Sequence, residues 1–224
     1  SSPVAQRIIP FFSRRMGLDE DGSPIPINVG AKLTGQVKNW NIGVMHINDD
    51  RQNGMNNFTV ARVSRNIWKQ SSVGIIGTRG NTLFDEENLV GGADIKLSTS
   101  SFQGNKNASF FFFGLKSKTE SLEGKDGSWG GQVVYPNDFI NARLGHHQIG
   151  ENFIAGMGFT PRTNIKETYG EFEIGPRPDK WGILQIQSGG SFEHISNIET
   201  GELETRQFRI KPLGIRFKSG EEIS

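Results

Sequence analysis

Alternation with period two runs along almost the whole chain, and it restricts the fold to sheet. From Gly30 onward, Ala31, Leu33, Gly35 and Val37 fall on one side, and Lys32, Thr34 and Gln36 on the other. After Lys38-Asn39 the apolar side resumes at Trp40, Ile42 and Val44. Successive side chains of a strand point to opposite faces, so this pattern describes a sheet with one dry face and one wet face. The cleanest later case has Leu89, Gly91, Ala93, Ile95 and Leu97 opposing Gly92, Asp94 and Lys96.

Eleven or twelve strands are expected: Ala31–Val37, Trp40–Ile47, Phe58–Arg65, Ser72–Thr78, Leu89–Ser98, Ser109–Lys118, Ser128–Tyr135, Phe139–His147, Asn164–Ile174, Trp181–Gln187, Leu203–Ile210 and Leu213–Lys218. Turn chemistry separates them, and no helical stripe of useful length interrupts them. Gly190-Ser191 reads as a turn. Residues 1–30 read as an irregular lead segment and 31–224 as one β domain. The chain is 224 residues long, enough for one sizeable all-β domain. Ser1-Ser2-Pro3 reads as an internal starting point, so a fragment of a longer protein is expected.

With 34% hydrophobic residues the chain has no run of about twenty apolar residues that could span a bilayer as a helix. A spanning strand needs only about ten residues, half of them apolar, so an outer-membrane barrel fits the same composition. The net charge of +1 comes from interspersed basic and acidic residues, which gives no nucleic-acid track. There is no cysteine, hence no disulfide or thiolate metal site.

Energetics tests each strand against lipid. An Arg or Lys at mid-depth on the lipid face costs about 2–4 kcal/mol, so each strand needs one face without charge there. Ala31–Val37, Leu89–Leu97, Trp129–Tyr135 and Leu213–Phe217 meet that demand. In Asn164–Ile174 the face with Phe172 and Ile174 can turn outward only if Lys166 lies at an interface, and Leu203–Ile210 is mixed. With four Trp and two Tyr, the aromatic girdle is thin. Pattern alone places a membrane barrel slightly ahead of a soluble sandwich or barrel.

Two blocks, Pro10-Phe11-Phe12-Ser13-Arg14-Arg15-Met16-Gly17-Leu18 and Gly30-Ala31-Lys32-Leu33-Thr34-Gly35, carry a resemblance. Phe58-Thr59-Val60-Ala61-Arg62-Val63, Gly92-Ala93-Asp94 and Gly158-Phe159-Thr160-Pro161-Arg162 follow in order. Together they resemble an uncharacterised outer-membrane β-barrel domain family of Gram-negative bacteria that follows a module similar to family-nine carbohydrate-binding modules. The resemblance implies an antiparallel up-and-down barrel of about 11–12 strands here, or part of one. It further implies an outer-membrane location, membrane lipid as partner, and glycan recognised through the upstream module. Passage, uptake or surface binding of glycan-like nutrients is the implied role. A membrane-associated hydrolase acting on carbohydrate or peptide is the alternative, and a soluble β-sandwich binding module a third.

Candidate binding residues are Arg14, Arg15, Asp94 and Arg162. Guanidinium groups clamp anionic sugars or phosphates in bidentate fashion, but ion pairing that fixes the lead segment is the simpler role for the arginines. Asp94 is expected in an interior ion-pair ladder with Arg62 and Lys96. Asp19-Glu20-Asp21-Gly22 lacks the spacing of a calcium loop and reads as a solvated turn. His46, His146, His147 and His194 show no metal-site spacing, and there is no Gly-x-Ser-x-Gly elbow. No cofactor and no catalytic residue is assigned.

Overall fold

The computed structural model describes residues 8–18, 21–50, 57–84, 86–178 and 180–223. The calcium-like reading falls largely on Asp19 and Glu20, which lie outside them. The chain is all-β. Twelve strands form one antiparallel meander in sequence order. They are β1 (Ile27–Val37), β2 (Trp40–Asp49), β3 (Asn57–Trp68), β4 (Ser71–Arg79), β5 (Asn88–Phe102), β6 (Lys106–Thr119), β7 (Gly127–Pro136), β8 (Ile140–Ile149), β9 (Ile165–Ile174), β10 (Ile183–Asn197), β11 (Leu203–Phe217) and β12 (Glu222–Ile223). Among the described residues one 3-10 turn, Ser13–Arg15, precedes them. The sheet does not close: β1 is one edge, exposed along its whole length, and β11 with the short β12 forms the other.

Three expectations need correction. Residues 27–30 belong to β1, so the irregular segment ends earlier than expected. Gly190-Ser191 is no turn either: β10 runs through it without a break. The glycines there serve close approach, since a Cβ on Gly189 would lie 2.3 Å from the Phe172 carbonyl oxygen. On the facing strand, Lys211-Pro212 does not split β11 in two. The register shifts between Gln187 and Gly189, and this bulge absorbs Pro212, which has no N–H to give a ladder. The Ser188 hydroxyl donates to the Pro212 carbonyl at 2.8 Å.

Connections are asymmetric. At one end, the turn end, residues 38–39, 69–70, 103–105 and 137–139 make short links and residues 175–182 a longer one. The opposite loop end carries 50–56, 80–87, 120–126 and 150–164. Cross-strand neighbours also climb. The row Val37, Trp40, Arg65, Val73, Ile95, Phe112, Gly131, His146, Thr168, His194, Arg206 starts at the turn end of β1 and finishes at the loop end of β11. That climb is the stagger of strands tilted around a barrel axis.

The sheet curls around its own loops. Ile8, Phe153 and Ala155 join Val90, Phe113, Ile149, Ile165, Tyr169 and Ile195 in one buried cluster, drawing β5, β6, β8, β9 and β10 onto the same core. Met16 and Met157 join Ile47, Phe58 and Val60 from β2 and β3 in a second. The alternate residues point the other way and stay exposed, among them Leu33, Ile75, Phe112, Val133, Leu144, Phe172, Phe208 and Ile210. The Phe110–Phe113 run divides accordingly, Phe111 and Phe113 packing inward while Phe110 and Phe112 remain exposed.

Candidate functional site

The interior has two zones. At the loop end it is filled by a plug made from residues 8–18 of the lead segment and the 150–164 connection. Ile9 and Phe159 exchange backbone hydrogen bonds of 3.0 and 2.7 Å, and the Phe12 N–H donates to the Met157 carbonyl at 2.8 Å. Asn88, fully buried on β5, fastens the plug to the wall. Its amide donates to the Ile154 carbonyl at 3.0 Å, and its oxygen accepts from the Gly156 N–H at 2.9 Å. The Ser117 hydroxyl oxygen accepts from the Ile154 N–H at 3.1 Å. Buried backbone polar groups of a loop must find such partners.

Between plug and wall lies a cavity of about 280 Å³ bounded by Ile8, Pro10, Ile76, Phe111, Phe113 and Leu115. Its polar feature is the pair Arg62–Asp94, 2.8 Å apart, which reaches across β4 from β3 to β5. Apolar walls with one ion pair suit a ligand with an apolar body and a single polar end.

The zone nearer the turn end is polar. A second hollow of about 310 Å³ is lined by Asn141, Glu171, Glu173, Arg209 and Lys211. Arg143 stands 3.4 Å from Glu171. Higher in the wall, buried His147 and Glu167 face each other on β8 and β9 at 3.4 Å. The Tyr169 hydroxyl donates to the Gln132 side-chain oxygen at 2.8 Å. Buried polar groups held in this way are fixed by their partners.

The residues singled out from sequence separate. Asp94 meets Arg62 as expected and lines the cavity, whereas Lys96 takes no part in that pair. Arg15 lies over the Phe159 ring, 5.8 Å from its centroid, so it stacks on the plug. Arg14 is exposed on the same 3-10 turn. Arg162 meets Glu204 at 3.2 Å and ties the plug loop to β11. The four therefore form no common site. The His147–Glu167 pair and the Tyr169–Gln132 bond were not legible beforehand, because cross-strand register, which sequence does not display, brings them together.

One electrostatic clamp holds the turn end. Arg177 donates two hydrogen bonds to Asp138, at 2.6 and 2.8 Å, joining the 137–139 turn to the 175–182 connection. The guanidinium hydrogen bonds and charge hold the Asp138 carboxyl below its ordinary range. The clamp is therefore intact above the ordinary Asp value near 3.9 and is lost only as pH falls through the lowered folded value. In Arg177→Gln the Asp138 carboxyl is expected to return upward toward the ordinary range, read by carboxyl NMR titration; an unmoved titration would count against the clamp.

No protein-family model matches the chain, no curated protein is similar to it, and no solved structure matches it.

Proposed function

We propose that this chain forms the wall of an outer-membrane β-barrel in a Gram-negative bacterium. Its role is non-enzymatic: passage, uptake or surface binding of glycan-like nutrients. One observation carries the membrane half of this reading. The outward side chains at mid-height are apolar on strand after strand and exposed: Leu33, Val44, Ile75, Phe112, Val133, Leu144, Phe172, Phe192 and Phe208. A soluble monomer rarely exposes a contiguous apolar patch beyond a few hundred Å², and this one places an exposed apolar side chain on nine of the first eleven strands.

Two details support the same reading. Lys166, the residue that made β9 awkward, is the second residue of the strand, at the loop end and away from mid-height. Aromatics gather at the turn end: Trp40 opens β2, Trp68 closes β3, Tyr135 lies one residue from the end of β7, and Trp181 precedes β10. Such rings favour the interface between lipid and water. The glycan half rests on the resemblance to the barrel family that follows a carbohydrate-binding module. The charged, amide-bearing hollow near the turn end suits a hydroxylated solute. The plug makes passage a matter of moving the lead segment.

The full-length protein should require detergent for extraction and should migrate differently on a denaturing gel before and after boiling. Full solubility without detergent would overturn the proposal. For the solute, uptake of oligosaccharide into liposomes should rise when the plug is released; permeability indifferent to the plug would count against a transport role.

A further inference from the structure

The outward face carries a second asymmetry, in the sign of its charge. In β1 to β11 its charged residues are cations. Arg79, Lys116, Lys118, Lys166 and Arg206 stand at the loop end, and Arg65 and Lys106 at the turn end. The strand carboxylates Asp94, Glu167, Glu171, Glu173 and Glu193 occupy inward positions. Glu204 lies in the bulge beside Leu203 and is taken up by Arg162 at 3.2 Å. An apolar band needs charge-free positions at mid-height; it does not need its rim to be of one sign.

Two of the loop-end cations have acidic loop partners: Arg79 meets Glu87, and Lys116 meets Asp126 at 3.5 Å. Lys166 and Arg206 have no ion pair among the described residues. They stand on β9 and β11, with β10 between them and a two-residue offset along the strands, so their backbones are roughly 12 Å apart. Thr168 and His194 lie between them as cross-strand partners, and the Thr168 hydroxyl is hydrogen-bonded to the His146 ring at 2.8 Å. Directly below, toward mid-height, lie exposed Phe192, Phe208 and Ile210. Two cations above an apolar surface repel each other, and a doubly acceptor anion placed between them removes that repulsion. Arg gives such an anion a planar fork and Lys a point charge.

Building on the membrane reading, we propose that the loop-end rim at Lys166 and Arg206 is a binding site for a phosphorylated lipid. Its phosphate lies between the two cations, with Thr168 and His194 as hydrogen-bonding neighbours. Its acyl chains run down over Phe192 and Phe208. The turn-end rim lacks the paired cations, so the barrel distinguishes the two leaflets by headgroup charge.

The test uses the full-length protein reconstituted into phosphatidylcholine vesicles, with or without diphosphorylated lipid A, and lipid retention read by native mass spectrometry. The wild type is expected to retain lipid A in preference to phosphatidylcholine. K166Q/R206Q is expected to weaken that retention roughly 30-fold, from about 1 kcal/mol for each cation near a charged surface at about 1.4 kcal/mol per decade. The charge-keeping K166R/R206K should retain it, as should R65Q. Absence of preference in the wild type, an unchanged K166Q/R206Q, or displacement of the lipid by equimolar inorganic phosphate would each overturn the site. A heat-modifiable, inserted protein with no preference overturns this site alone; failure to enter any vesicle overturns the membrane reading along with it.

Discussion

Gly158→Val is expected to detach the plug while leaving the wall in place. A Cβ at this position would sit 1.8 Å from the Ile9 carbonyl oxygen and 2.7 Å from the Pro10 carbonyl carbon. Both are backbone atoms and cannot rotate away. The lead segment must move, and with it go the paired Ile9–Phe159 hydrogen bonds and the Phe12–Met157 bond. Overpacking costs about 1–3 kcal/mol and each lost hydrogen bond about 1 kcal/mol net, so plug docking weakens by about 3 kcal/mol or more. Hydrogen exchange should show fast exchange at the Phe12 and Phe159 amides, with protection kept at Ala142 and Leu144 on β8. Uniform loss of protection across the strands would show that the plug and wall fold as one unit, contrary to this expectation.

The second large effect separates lipid from water. Leu144→Arg places a cation in the middle of the outward band, where Leu144 is 55% exposed. Against lipid this costs about 2–4 kcal/mol; on the surface of a soluble sheet such a change stays within about 0.5 kcal/mol. Gln148→Arg, on the same face of the same strand but at the loop end, is the control, with about 0–1 kcal/mol expected near an interface. Folding yield into vesicles, followed by the boiled and unboiled gel bands, should fall sharply for Leu144→Arg and little for Gln148→Arg. Equal yields would remove the main support for a barrel in a membrane.

The charge rule applied to each strand explains how much was readable in advance. The face of β9 with Phe172 and Ile174 could point outward only if Lys166 lay at a rim, and Lys166 is the second residue of that strand, beside the loop end. In β11 the outward Arg206 likewise lies near the loop end, followed by Phe208 and Ile210. Nearly every strand was visible because its alternation is local. The exceptions were β11, expected as two strands, the short β12, which was not expected, and the second half of β10, where the Gly189-Gly190 pair resembles a turn but Gly189 accommodates the β9 backbone at close range. A glycine needed for close approach and one needed for a turn look alike without the neighbour.

The candidate site was much less legible. Asp94 and Arg62 could be placed on the same face, because each sits on a strand with clear alternation. Nothing local indicates that Arg15 stacks on Phe159, that Asn88 holds Gly156, or that His147 meets Glu167. Those contacts join segments far apart in the chain, and they exist only after the sheet has curled and the loop has folded back into it.

From sequence alone came the strands, their antiparallel order and the pair of residue sets that share each face, since side-chain direction in a strand is set by its own backbone. Only the tertiary structure decided which set faces the interior, what fills that interior and which charges meet. Curvature, register and the return of a loop are properties of pairs of distant segments, and the period of two is the same whichever way the ribbon curls.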